Sequence, residues 1–424
     1  MFDHAPTPHT DGRHGRGPAI IVAVSLLAGL VTAFALVAIP FAGDRESTIT
    51  GALLLGFAFG WAMLAVLSAR FTSHPQRWAA VPAAAMAVTA AGLNVLAPGP
   101  AALTTLGWVW PTSLLALVVW MFIQVRRQDL RSGQWLLSPV FGVLALAAVG
   151  GGYETLRGAT DRASAPVAGS RLIDVGGHRL NIHCTGSGSP TVVLEPGLGE
   201  SASAMARWIA PDVARTTTVC VYDRAGHGRS QAAPAKDADA ARDLHVLLQR
   251  AHVPGPYVIA GHSLGGMFAL SYAHRYPAQA GGVVLLDSMY PKASSSLASM
   301  DSLLAVLPTL SRTGLARLFV DPKEGTPTRQ AHQFVRDVAE MPAQLDRAAK
   351  LASLGERPLA VITAGKGNAA EWPRQQDDLA KLSSNTVHRV VAGSTHQSLV
   401  DDRSDAAQSS RAIRDVVRAV SSRD

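Results

Sequence analysis

Long apolar runs without charge dominate the first 153 residues, and short apolar runs spaced by helical patterns dominate the remainder. Ala19 to Gly43 and Ser47 to Ala69 carry no charge. Trp78 to Val125 is a 48-residue uncharged stretch interrupted by Ala97-Pro98-Gly99-Pro100, and Ser132 to Tyr153 is a further uncharged run. A bilayer core about 30 Å thick is crossed by about 20 apolar helical residues. The pattern therefore predicts five transmembrane helices, the long stretch supplying two joined by a tight turn. The third, from about Trp78 to Ala97, is Ala-rich and carries Pro82. The division is a polar tail over 1–17, a transmembrane domain over 18–153, a polar, small-residue linker over 154–169 and a second domain over 170–424.

The second domain reads as a strand-helix series. Arg171–Val175 and His178–Cys184 read as two strands about a Gly176-Gly177 hairpin turn. Thr191–Leu194, Thr217–Tyr222, Tyr257–Ala260, Gly282–Leu286, Leu359–Thr363 and His388–Val391 are the other strands. Helices are expected over about Ser203–Arg215, Ala238–Ala251, Met267–Tyr276 and Asp405–Val420. Such alternation predicts a mostly parallel sheet covered on both faces. About 70 residues between Ser288 and Pro358 lack a clear strand, and read as a helical lid (289–357) over the C-terminal edge of the sheet.

Charged residues make up 16% of the chain, against about 25% in an ordinary soluble protein, and the mean hydropathy is +0.17. Both agree with membrane segments. The net charge is +7, but no basic block is interleaved with aromatics, so no nucleic-acid partner is expected. The loop arginines set an orientation. Arg13 and Arg16, Arg70 and Arg77, and Arg126, Arg127 and Arg131 fall on one side; Arg45 alone falls on the other. With the N-terminus inside, five spans put the second domain outside the cytoplasm. The first run exceeds a signal peptide's apolar core, so an uncleaved anchor is expected. No Asp, Glu, Lys or Arg interrupts the spans in the way ion or proton transport would need. His4, His9 and His14 read as part of a polar tail rather than a metal site, and two cysteines are too few for a cysteine zinc site.

Gly261-His262-Ser263-Leu264-Gly265 follows one strand and precedes a helix. A serine on such a turn sits in a strained conformation with its hydroxyl above the sheet, and small residues two before and two after avoid clashes. Leu194-Glu195-Pro196-Gly197-Leu198-Gly199, Tyr222-Asp223-Arg224-Ala225-Gly226-His227-Gly228-Arg229-Ser230 and Ser394-Thr395-His396 follow other strands. In this order these stretches resemble the α/β-hydrolase superfamily, in its branch of esterases, lipases and proline-iminopeptidase-like enzymes, over roughly residues 170–422. The resemblance implies an eight-stranded α/β-hydrolase fold, with Ser263 as nucleophile and His396 as its base. It implies an oxyanion hole from the backbone N–H groups of Leu264 and Leu198, and no metal or organic cofactor. His262 and His227 read as structural.

The acid is open at this level. Relatives often carry Asp just after the strand corresponding to Leu359–Thr363, where Gly367 stands here. Some branches use a carboxylate after the preceding strand, which is Asp287. Glu371 is the alternative, then a helix carboxylate such as Asp377, or none. In the superfamily's strand order, Cys184 and Cys220 lie on neighbouring strands. That implies a disulfide suited to an extracytoplasmic site; two buried thiols are the other reading.

The expected function is a membrane-anchored serine hydrolase cleaving an ester, thioester or amide of a small or lipid-like acyl substrate, on the outer side of the cell membrane. The alternatives are a catalytically impaired hydrolase-like sensor, or a cofactor-free perhydrolase or acyltransferase. Epoxide hydrolases and haloalkane dehalogenases are disfavoured, because they carry Asp where Ser263 stands.

Overall fold

Runs of Ala, Leu and Val without a charged interruption satisfy their own backbone only as helices, and the first half of the chain forms six. The computed structural model describes residues 17–38, 45–72, 75–127, 134–163, 169–233, 239–292, 304–318 and 326–423. The tail histidines and Arg13, Arg16 and Arg131 lie outside them. The helices are α1 (Gly17–Ala38), α2 (Glu46–Phe71), α3 (Ala80–Leu96, entered through a 3₁₀ turn at Arg77–Ala79), α4 (Pro100–Leu106), α5 (Trp110–Arg127) and α6 (Gln134–Ala163). Four are long and apolar enough to cross a membrane: Pro18–Ala38, Glu46–Phe71, Arg77–Leu96 and Leu136–Thr160. α4 and α5 together give a fifth, bent by 46°.

The second half of the long uncharged stretch, Pro100 to Val125, is a helix broken in two. The i→i−4 ladder tightens at Gly107-Trp108-Val109, where Trp108 and Val109 donate to carbonyls three residues back, and Pro111 occupies the first turn of α5 without an N–H to offer. The supposed linker is helical as far as Ala163, since Glu154, Leu156, Arg157 and Ala159 are sound helix formers; residues 164–168 are outside the description.

α1 and α2 pack backbone to backbone. A Cβ on Gly56 would lie 2.3 Å from the Ala33 Cα, and one on Gly60 2.9 Å from the Gly29 Cα. Gly29/Ala33 and Gly56/Gly60 are therefore facing small-xxx-small pairs, the device by which helices approach closely in lipid. Trp61, Trp78, Met86 and Met121 fill the interior, while Leu27, Val31, Phe34, Val88 and Val149 point outward.

Residues 304–318, inside the stretch expected to be lid, group with these helices instead. They contain α11 (Leu307–Ser311) and a 3₁₀ turn at Leu315–Leu318. Arg312 forms an ion pair with Glu46 at the start of α2 (Nη2–Oε2 2.9 Å), and Arg317 one with Glu154 (2.6 Å). The Thr309 and Thr50 hydroxyls are 2.9 Å apart. A Cβ on Gly314, at φ +75°, would meet the Gly150 carbonyl oxygen at 2.2 Å. Sequence patterning could not reveal this, because the partners lie some 160 to 270 residues away.

The second unit holds β1 (Arg171–Asp174), β2 (Arg179–Thr185), β3 (Thr191–Glu195), β4 (Val219–Tyr222), β5 (Tyr257–His262), β6 (Ala280–Leu286), β7 (Leu359–Lys366) and β8 (Thr386–Thr395). They form one sheet in the order β1-β2-β4-β3-β5-β6-β7-β8. β2 runs antiparallel to both its neighbours and the remaining pairs are parallel. The domain thus carries the α/β-hydrolase fold.

The helices are α7 (Ser203–Ala206), α8 (Ile209–Val213), α9 (Ala240–Arg250), α10 (Gly265–Arg275), α12 (Pro327–Ala349), α13 (Trp372–Ala380), α14 (Ser398–Asp401) and α15 (Arg403–Ser421). The helix expected over 203–215 is two short pieces, broken around Trp208. Strand alternation fills both faces. Val193, Ile259, Val283 and Leu285 pack with α9, α10 and α12; Val192, Leu194, Val258 and Val284 pack with α8 and α15. Central strands are consequently buried at nearly every position and apolar along most of their length. Cys184 and Cys220 stand opposite each other in the β2–β4 ladder and are joined by a disulfide.

Candidate active site

β5 delivers its chain into a turn only small residues tolerate. A Cβ on Gly261 would meet the Gly265 carbonyl at 2.3 Å, and one on Gly265 would meet the Glu195 carbonyl at 2.2 Å. The second contact seats the start of the 196–199 loop against the first turn of α10. Between these glycines Ser263 adopts φ +53°, a left-handed conformation that costs a side-chain-bearing residue about 1–3 kcal/mol. Its N–H donates to the Leu286 carbonyl (3.1 Å), and its own carbonyl accepts the Met289 N–H (3.1 Å) and the Ser288 hydroxyl (3.1 Å). The elbow is thereby braced by the end of β6. Leu264 caps the N-terminus of α10.

Asp287 leaves β6 in a similar conformation, φ +43°, and is fully buried. One carboxylate oxygen accepts the Ala364 N–H (2.9 Å) and the Trp372 indole N–H (2.8 Å). The other accepts from Nδ1 of His396 at 2.6 Å. Burial opposes its ionisation, but the bonds from His396, Trp372 and Ala364 outweigh burial and hold its pKa below the usual carboxylate value. His396 is half-exposed beyond β8. Of the carboxylates considered, Asp287 reaches His396. Glu371 is an exposed residue capping α13, and Asp377 pairs with His388 at 3.1 Å. Gly367, at φ +81°, makes a turn after β7, and the indole of Trp372 takes part in fixing the acid instead.

Two buried networks hold the loops around this centre. Glu200 accepts the Gly197 N–H (2.7 Å) and the Gln397 amide (2.9 Å), and lies 3.6 Å from Nδ1 of His262. Nε2 of His262 is 3.1 Å from the His396 carbonyl oxygen, and the two rings lie 4.6 Å apart. Burial resists the charge on Glu200, yet these partners bring its pKa down to about 2; burial likewise opposes charging His262, and Glu200 more than offsets it. His262 thus ties the 196–199 loop to the histidine loop. In the second network Arg224 donates to the carbonyls of Pro196 (2.6 Å) and Gly197 (2.9 Å) and to Asp337 of α12 (2.9 Å). His227 lies 3.2 Å from Asp337. Burial pushes Glu195 up to about 7, against the pull of Arg224 and the Tyr222 hydroxyl.

Sequence reasoning missed Glu200, Arg224 and Asp337. Arg224 left a trace, a cation in a Gly-rich loop directly after an apolar strand. Asp337 left none, because a lid helix cannot be placed without the sheet. Among the described residues no group of three or more His, Cys, Asp and Glu could hold a metal ion.

The strained turn at Ser263, the His396 loop after the last strand and the buried Asp287 after β6 all stand at strand ends of a sheet with the α/β-hydrolase fold. In agreement, residues 190–332 match the family model of the alpha/beta hydrolase fold. Among curated relatives, an uncharacterized protein of Schizosaccharomyces pombe is 28% identical over 217 residues, covering 46% of this chain and 40% of that protein. The pimeloyl-(acyl-carrier protein) methyl ester esterase of Chromobacterium violaceum is 40% identical over 98 residues, covering 23% of this chain and 36% of that one. The chain therefore spans about two fifths of the length of these two relatives. Among solved structures, a thermophilic esterase from Thermogutta terrifontis is 20% identical with a TM-score of 0.46, covering 57% of this chain and 94% of that one.

Proposed function

We propose that the protein is a membrane-anchored serine hydrolase that cleaves an ester, thioester or amide through an acyl-enzyme on Ser263, with His396 as base and Asp287 as acid. The observation that carries this is the 2.6 Å bond between Asp287 and Nδ1 of His396, at the same sheet edge as the left-handed Ser263 elbow. With Nδ1 donating to the carboxylate, Nε2 is the nitrogen left to take a proton. In the first half-reaction the Ser263 oxygen bonds to the acyl carbon as its proton passes to Nε2. The carbonyl electron pair moves onto oxygen, where the N–H groups of Leu264 and Leu198 are the expected donors. The pair returns, the leaving-group bond breaks and the leaving group takes the proton from His396. Water repeats the sequence, releasing the acid and restoring Ser263. Asp287, kept ionised, stabilises the imidazolium in both halves.

The helical half is proposed to span the membrane five times, with the hydrolase on the extracytoplasmic side. Arginine asymmetry supports this orientation. So does the packing of residues 304–318, which lie within the hydrolase insertion in sequence. They meet the start of α2 and the late part of α6, two helix ends that the arginine count puts outside. The Cys184–Cys220 disulfide suits an oxidising compartment.

Labelling of the full-length protein with a fluorophosphonate tests the reading. Wild type is expected to label and Ser263→Ala not to. An unlabelled wild type, or an equally labelled variant, overturns it.

A further inference from the structure

Leu198 lies between two peptide planes, and both are pinned by one buried ion pair. The plane that contains the Leu198 N–H also contains the Gly197 carbonyl, which accepts from Nη2 of Arg224 at 2.9 Å. In a trans peptide the N–H points opposite to the carbonyl, so holding the carbonyl aims the N–H. The next plane contains the Gly199 N–H, which donates to Asp337 at 2.7 Å. The same Asp337 oxygen accepts from Nη2 of Arg224 at 2.9 Å. Upstream, Nη1 of Arg224 holds the Pro196 carbonyl at 2.6 Å, and Glu200 holds the Gly197 N–H from the other side.

Asp337 comes from α12, the long helix of the insertion, and the helix touches the loop at more than one place. Gln333, one turn earlier, places its amide nitrogen 3.2 Å from the Gly199 carbonyl oxygen and its amide oxygen 2.6 Å from the Gly228 N–H, in the amide orientation that satisfies both. A Cβ on Gly199 would sit 3.2 Å from the Phe334 Cβ, so Gly199 lies directly against the helix. Arg224 is itself fixed by the Phe268 ring, 4.4 Å from its guanidinium carbon, and both members of the ion pair are buried. A buried pair of this kind is a weak source of stability, and its best-attested use is to hold one arrangement against others.

We propose that Asp337, with Gln333, is a positioning residue of the lid helix: through Arg224 and Gly199 it orients the Leu198 N–H toward the developing oxyanion, so that the site is competent when α12 is seated. This rests on the serine-hydrolase reading and adds to it a coupling between the insertion and transition-state stabilisation.

The test compares wild type, Asp337→Asn and Gln333→Leu as full-length, detergent-solubilised proteins, each checked for a cooperative melt. Hydrolysis of p-nitrophenyl butyrate gives kcat and KM, and inhibition by butylboronic acid reports affinity for a tetrahedral anionic adduct. Loss of one oxyanion donor costs about 10²–10³-fold in kcat. Asp337→Asn is expected to lower kcat about 10²-fold with KM within about 3-fold, and to weaken the boronate in step with kcat/KM. Gln333→Leu, which releases the Gly199 carbonyl and the Gly228 N–H but leaves the Arg224–Asp337 pair in place, is expected to lower kcat about 10-fold with the same signature, and carries the test alone if Asp337→Asn does not fold. A rise in KM with kcat retained, or unchanged boronate affinity, makes α12 a substrate-binding lid and overturns the proposal. A wild type that neither turns over nor labels at Ser263 overturns the hydrolase reading as well, which is a different pattern from a labelled wild type with indifferent variants.

Discussion

Both halves of this chain expose apolar side chains, many along the helices and few on the sheet, and they do so for opposite reasons. Val88 on α3 is 73% exposed and Val390 on β8 is 61% exposed. Val88 belongs to a belt with Leu27, Val31, Phe34 and Val149, on helices whose interiors are built from tryptophan, methionine and facing glycines. Val390 sits on an edge strand, next to a core buried on both faces of the sheet. The first is a continuous apolar surface of the kind a lipid-facing helix presents; the second is the ordinary residue of apolar area that no folded protein fully covers. Exposure alone therefore says little, and the continuity of exposure along an element says much more.

The largest expected effect lies wholly on the sheet side. Asp287→Asn should lower kcat for an activated ester about 10³–10⁴-fold by removing the charge that orients His396, whereas Glu371→Gln should leave it within about 3-fold; equal losses would reassign the acid. Next comes the disulfide. Replacing Cys184 and Cys220 together by Ser should cost the hydrolase domain about 2–4 kcal/mol, read as a lower urea midpoint monitored in that domain, with the apparent insertion of the helical half unchanged. The comparison itself is tested by Val88→Arg and Val390→Lys. In a membrane-insertion assay the first should cost about 2.5–3.5 kcal/mol if Val88 is near the bilayer centre, while in a melting assay the second should fall within about 0.5 kcal/mol. Equal small effects would mean that the helices are not in lipid.

A further effect is a pH dependence at Glu195. With its pKa raised from 4.5 to about 7, the native state keeps a proton that the unfolded chain releases above about pH 4.5. Stability is then lost as pH rises from about 4.5 to about 7, and the loss persists above that range. Glu195→Gln should accordingly raise the melting temperature by a few degrees more at pH 8 than at pH 5; the opposite sign would mean that Glu195 is ionised and stabilised by Arg224.

All eight strands and the hairpin turn were legible in the sequence to within a few residues at each end, because strand runs of Val, Ile and Leu end at glycines and prolines. The strand-end positions of Ser263, His396 and Asp287 were legible because each follows an apolar run, but which carboxylate reaches His396 was left open by the sequence. What escaped was whatever depends on distant partners. The bend at Gly107–Val109 hides in an uncharged run, and the helical continuation to Ala163 hides behind polar residues. Asp337 carries no local signal, since its burial is produced by Arg224, more than a hundred residues earlier. The insertion was visible as one helical stretch, but its division between two packing partners was not.

That division has a consequence for how the chain can be dissected. The helical unit is written in two pieces, residues 17–162 and residues 304–318, with β1 to β6 of the sheet between them in sequence. No single cut releases an intact hydrolase. A fragment starting near residue 169 would keep Arg312 and Arg317 but lose Glu46 and Glu154, exposing a sticky, positively charged patch beside Leu310 and Leu315. A soluble version calls for a graft, with a short linker closing the gap from about residue 293 to 325, and α12 left in place to hold the loop beneath it.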